Sequence, residues 1–151
     1  MPTYKSFTAA IKDLMLPMDR AGESVVNSIK TMINTNSVPG KELSAKWKVR
    51  KAQNSNTKLL EYGYLRDATH YAVDKNIIEI GYSNTTSQHK SDGEGQMTYA
   101  GMAEVHNEGN SKGMYNIPKR PFLFDGGSWN EKHKQAIQKF IQNYYKSKGI
   151  I

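Results

Sequence analysis

A mixed α+β domain is what this chain predicts: a small antiparallel sheet built on a β-hairpin, packed by a long N-terminal helix, a short middle helix and a C-terminal amphipathic helix. Three observations predict it. Apolar residues recur every three to four positions at both ends of the chain, alternation runs into a β-branched stretch between residues 65 and 82, and polar turn-forming segments separate these parts. A length of 151 residues is that of one ordinary domain, so residues 1–151 are expected to fold as a single unit.

The first helix is read from Phe7, Ile11, Leu14, Met18, Ala21, Val25, Ile29 and Met32, which share one face. Pro17 removes a backbone donor within this pattern and predicts a kink or a tight break there. Such a helix can cover its own sheet or pair with a neighbouring subunit. Residues 34–40, Asn-Thr-Asn-Ser-Val-Pro-Gly, are turn chemistry and end it. Residues 41–58 follow as the most basic stretch, with six cations around Trp47. Alternation of Leu65, Asp67, Thr69, Tyr71 and Val73 with smaller or polar residues, a turn at Asp74-Lys75-Asn76, and Ile77-Ile78-Glu79-Ile80-Gly81 predict the hairpin. Residues 83–96 are polar and predict a mobile loop. Tyr99, Met102, Ala103 and His106 lie on one face of a short helix that Gly109 stops. Ser128 and Glu131 have the spacing of a capping box before a last helix carrying Trp129, His133, Ile137, Phe140, Ile141 and Tyr144 on one stripe and ending near Gly149.

Composition bounds the function classes. With 37% hydrophobic and 23% charged residues the chain is globular in type. Twenty-one Lys and Arg against 14 Asp and Glu leave +7, which favours an anionic partner at long range. The absence of cysteine excludes disulfides, thiolate metal sites and cysteine nucleophiles. Near the N-terminus, Lys12, Asp13, Asp19 and Arg20 break any apolar run, so neither a signal peptide nor a membrane-spanning helix is expected and the cytosol is the expected compartment.

Little in the chain reads as catalytic machinery. His70, His89 and His133 lack a second ligand at metal spacing and are read as strand, loop and helix-surface residues. His106 and Glu108 are the one local His–carboxylate pair, and a helix-end histidine bonded to backbone is preferred over a metal or general-base role. No nucleophile elbow, P-loop or dinucleotide cradle occurs. The chain is therefore expected to be no enzyme and to need no cofactor. Pro118-Lys119-Arg120-Pro121 instead presents Arg120 from a stiffened backbone, suited to carboxylates or main-chain carbonyls at a subunit boundary, or to an intrachain clamp on Asp67 or Glu104. The competing class is a nonspecific DNA-binding module in which Lys46, Trp47, Lys48, Arg50 and Lys51 grip phosphates and stack on bases.

Trp47 with Arg50-Lys51, Leu60 to Asp67 around Gly63, the strand end Ile78 to Gly81, Tyr99-Ala100, His106-Asn107-Glu108-Gly109 and Ile117-Pro118 with Arg120-Pro121-Phe122-Leu123 follow one another in an order and spacing that resembles the virion morphogenesis proteins of tailed phages, the tail completion or neck proteins of Mu-like phages and siphophages. The likeness covers about residues 45–145. It departs where Tyr62-Gly63 stands in place of a Thr-Gly pair and where residues 83–96 lengthen a link. The resemblance implies a nonenzymatic virion part at the head–tail junction, assembled in the host cytoplasm. It implies a homo-oligomeric ring, a hexamer in the virion, joining the connector or adaptor to the tail terminator or tail tube; nonspecific contact with phage DNA is expected from the basic stretch instead, and no contact with membrane is expected. On that reading Arg120, Pro118, Pro121, Phe122, Arg66, Asp67, His106 and Tyr99 make or order the subunit and partner contacts, residues 83–96 become ordered on docking, and Arg120→Ala leaves the monomer folded while weakening assembly.

Overall fold

The computed structural model describes residues 6, 8–10, 15–45, 48, 51, 58–59, 63–75, 77–91, 95–110 and 117–150. Four helices and three two-stranded antiparallel ribbons are found among them: α1 (Met18–Asn34), α2 (Tyr64–Ala68), β1 (His70–Asp74), β2 (Ile77–Gly81), β3 (Thr86–Ser91), β4 (Gly95–Thr98), α3 (Tyr99–Glu108), β5 (Phe124–Asp125), β6 (Ser128–Trp129) and α4 (Glu131–Ser147). The class is mixed α+β. No helix among the described residues is long and apolar enough to cross a membrane.

α1 is the element around which the others pack. Pro17 occupies its N-cap position in extended conformation, so of the kink or tight break expected at the proline the chain takes the break, and the helix starts immediately after it. The face beyond it buries Val25, Ile29, Met32 and Ile33 against Val38, Leu65, Ala103, Phe122 and Leu123. Ile29 and Ile33 have no exposed surface, and each such side chain contributes about 1.5–3 kcal/mol by leaving water. The helix closes in a Schellman motif: Asn36 takes φ +52°, Ser37 N–H donates to the Met32 carbonyl and Asn36 N–H to that of Ile33. α4 ends the same way at Gly149, where Ile150 N–H reaches the Tyr145 carbonyl. The two long helices run antiparallel, since Ser28 meets His133, Ser24 meets Ala136, and the Tyr144 hydroxyl reaches the Met15 carbonyl.

The expected hairpin is present but shorter than the alternation suggests. β1 pairs with β2 from His70↔Gly81 to Asp74↔Ile77, and Lys75 in the turn has φ +53° as a tight two-residue hairpin requires. Residues 64–68 form a helical turn instead of the first half of a strand. Gly63 at φ +83° starts it and accepts the Asp67 amide, while Leu65 points inward. Leu65 and Thr69 are four apart as well as being alternate residues, so both periods fit, and the left-handed glycine favours the helix.

Residues 83–96 also depart from expectation. β3 and β4 pair as a second hairpin through Thr86↔Thr98, Lys90↔Gln96 and Ser91↔Gly95, with a shift of register between. A ladder uses backbone groups, so a polar sequence can form one without an apolar face to announce it. The hairpin leads directly into α3, whose Tyr99 and Ala100 amides donate to the Thr85 and Ser83 carbonyls. α3 itself matches its forecast, with Thr98 capping the start and Gly109 the end.

The capping box is corrected. Ser128 lies in β6 opposite Asp125, and Asn130 is the N-cap of α4, its side-chain oxygen accepting the Lys132 amide.

Candidate functional site

The residues singled out by the sequence fall into two places. The larger is the segment 117–124, held between the C-terminal end of α3 and the start of α4. Its prolines restrict the chain, and Phe122 N–H folds back to the Arg120 carbonyl at 2.7 Å across Pro121. Arg120 N–H donates to the His106 carbonyl at 3.0 Å, and Asn110 and Ile117 exchange two 2.8 Å backbone bonds. Gly109 must be glycine here: at φ +79° a Cβ would lie 2.8 Å from the Lys119 nitrogen.

Asn107 is the centre of this lock. Only 2% exposed, it accepts the Leu123 and Phe124 amides on its oxygen at 2.9 and 3.1 Å and donates to the Phe124 carbonyl and to Glu108. Asn130 adds a bond from its side chain to the Pro121 carbonyl and one from its amide to that of Leu123. His133 completes it. Its Nε2–H donates to the Phe122 carbonyl at 2.6 Å, which leaves Nδ1 to accept the Ser28 hydroxyl at 2.8 Å. At 1% exposure His133 is interior, correcting its reading as a helix-surface residue. Burial holds it below the ordinary imidazole value, against the Phe122 bond, which raises it, and with a smaller lowering from Lys132. Neither Asn107 nor His133 was identified as a site residue from sequence. The signal available for His133 was its place on the apolar stripe between Trp129 and Ile137.

Arg120 is an intrachain clamp, but not on the carboxylates expected. Its Nε–H donates to the Lys41 carbonyl at 3.1 Å, and a Cβ on Gly40 would lie 2.6 Å from the Lys119 carbonyl oxygen and 3.1 Å from the Arg120 Cγ. Burial pushes the guanidinium below its usual range, partly offset by the charge of Glu42. Asp67 pairs instead with Arg66 at 2.8 Å, which also donates to Asn34. That hydrogen bond raises Arg66 and lowers Asp67, in a largely exposed pair whose net worth is small. With Arg120 5% and Phe122 0% exposed, both face the interior and are not free to meet a partner as the chain is folded. Pro118, Pro121 and His106 are partly exposed at the margin of the lock, and Tyr99 is partly exposed at the other end of α3, its amide donating to the Thr85 carbonyl. Removal of Arg120 is accordingly expected to register in the monomer first: Arg120→Ala should cost about 2 kcal/mol of stability in urea unfolding, from a lost charge-assisted bond and lost packing.

The basic stretch is only partly visible. Lys46, Trp47 and Arg50 lie outside the described residues, and Lys48 and Lys51 are partly buried. Lys58 at its end is 4% exposed and bonded to Glu42 at 3.2 Å, its amide donating to Asn36, so it faces away from any surface partner. His70 is exposed on β1 as expected, and His89 lies in β3, where a loop was expected.

An open cleft of about 360 Å³ runs between α1 and α4, walled by Ser24, Asn27, Ser28, Thr31 and Lys132. Two of its hydroxyls are already engaged, Ser24 with the Ala136 carbonyl and Ser28 with His133. Among the described residues no group of three or more His, Asp or Glu is arranged to hold a metal ion. A scan against protein-family models, a search of curated proteins and a search of solved structures each return no match to this chain.

Proposed function

We propose that this chain is a structural part of a tailed-phage virion, a neck or tail completion protein that assembles as a ring at the head–tail junction and joins the connector to the tail. One observation carries the reading. The turn at residues 106–109 and the Pro118 to Leu123 segment, which supply the most specific part of the resemblance, fold into one interlocked unit: His106 and Asn107 bind Arg120, Leu123 and Phe124, and Gly109 abuts Lys119. A joint of that kind supports a mechanical role, because the side chains of Asn107, Asn130 and His133 are engaged with its backbone and hold its shape.

In this role α1 and the lock form the rigid body. The contacts to neighbours fall to exposed elements, including the partly exposed margin at Pro118 and Pro121 and the start of α3 at Tyr99. Head-to-tail contacts between identical subunits close into a ring when the rotation between them allows. The test is loss of the gene from a phage that carries it, followed by electron microscopy of the lysate. Filled heads and separate tails, with a ring restored at the neck by complementation, are expected. Normal, infectious virions without the protein would end the proposal.

A further inference from the structure

The last helix carries a feature that the assembly reading leaves unused. α4 contains four lysines and one glutamate, and Glu131 lies 3.9 Å from Lys134. The other three, Lys132, Lys139 and Lys146, are exposed and seven residues apart, which places them on one line along the helix at steps of about 10 Å. Gln135 and Gln142 lie on the same line between them and are also exposed. None of the three lysines forms an ion pair among the described residues. The neighbouring helix does not cancel them: α1 balances Asp19 and Glu23 with Arg20 and Lys30. α4 is anchored to the body through His133, Ala136 and Tyr144, which lie to one side of the stripe around the helix, so the stripe is presented on a fixed rod.

We infer that this face binds the phosphate backbone of duplex DNA without regard to sequence. The argument rests on charge complementarity. A duplex offers one negative charge for about every 1.7 Å of its axis, so evenly spaced cations find phosphates in any register. An acidic protein surface would have to match a 10 Å spacing with its own carboxylates. The cations are all lysine, compact point charges that can meet phosphate without a fixed geometry, as contact without regard to sequence requires. The interspersed glutamines can donate further bonds to phosphate oxygens. This inference stands apart from the ring assignment and does not need it.

The test uses the full chain and a fluorescent random-sequence duplex, with Kd measured by anisotropy over a range of salt. Lys132→Gln, Lys139→Gln and Lys146→Gln combined should weaken binding at every salt concentration and make the slope of log K against log salt shallower by about 2.7, the value for three phosphates. A second variant with the same charge removed elsewhere, Arg20→Gln, Lys41→Gln and Lys75→Gln, should change the slope far less. Thermal unfolding by circular dichroism confirms that both variants fold. Polyglutamate at equal charge concentration should displace little DNA, since its charge density is lower. The inference is overturned if the wild-type chain does not bind duplex at low salt, if the α4 variant binds as the wild type does, if the two variants lose equally, or if polyglutamate displaces the DNA fully.

Discussion

Replacing His133 with alanine is expected to remove about 3 kcal/mol of stability, a fall of about 8 °C in the melting temperature of a domain this size. The imidazole ties three elements together: α4 carries it, α1 supplies the Ser28 hydroxyl, and the 117–124 segment supplies the Phe122 carbonyl. Its loss leaves that carbonyl buried without its donor and opens a cavity beside Phe122, which has no exposed surface. His133→Gln can still reach one of the two partners and should lose less.

The same residue sets a pH dependence. Its folded-state pKa lies below the unfolded value near 6.5, because burial disfavours the imidazolium, Lys132 adds to this, and the Phe122 carbonyl only partly compensates. The unfolded chain therefore takes up the proton more readily. The stability His133 contributes is complete above about pH 6.5 and is lost as pH falls through that value toward the folded pKa. Ser28, the Phe122 carbonyl, Lys132 and the edge of Trp129 surround the ring, and none of these is an acid that would shelter the charge. Urea unfolding at pH 7.5 and pH 5.5 measures this. The wild-type chain should lose more between the two than His133→Gln does, and equal losses would assign the acid sensitivity to other groups.

Asn107→Ala is expected to cost a similar amount, about 3 kcal/mol. Two amides, the buried one of Leu123 and the partly buried one of Phe124, would lose their common acceptor, and the Phe124 carbonyl its donor. Asn107→Asp keeps the acceptor, so it should retain more stability than the alanine variant, although it places a second carboxylate beside Glu108. Amide hydrogen exchange gives the local reading. In Asn107→Ala the Leu123 amide should exchange faster relative to amides in the middle of α1. An unchanged ratio would mean that the segment is held by His133 and Asn130 alone.

How much of this was legible in the sequence follows from which forces leave a pattern. Val25, Ile29 and Met32 recur at helical spacing because one face of α1 is buried, and Ile78 and Ile80 alternate because one face of the hairpin packs on that helix. Backbone pairing leaves no such trace, which is why the polar strands β3 and β4 looked like loop. Caps are ambiguous when two capping residues stand near each other: Ser128 and Asn130 both qualify, and only the pairing of β5 with β6 decides for the second. The lock was half legible. Gly109 and the prolines of 118–121 mark a constrained backbone, but the acceptor of Arg120 is the carbonyl of Lys41, and a carbonyl is present at every position and identifies none.

The three ribbons found here are separate two-stranded units, so no ladder of hydrogen bonds runs from one to another among the described residues. Force applied to one hairpin cannot travel sideways through a sheet. From the first hairpin it passes into α1, which touches both that hairpin and α4, and that helix then carries the load between them.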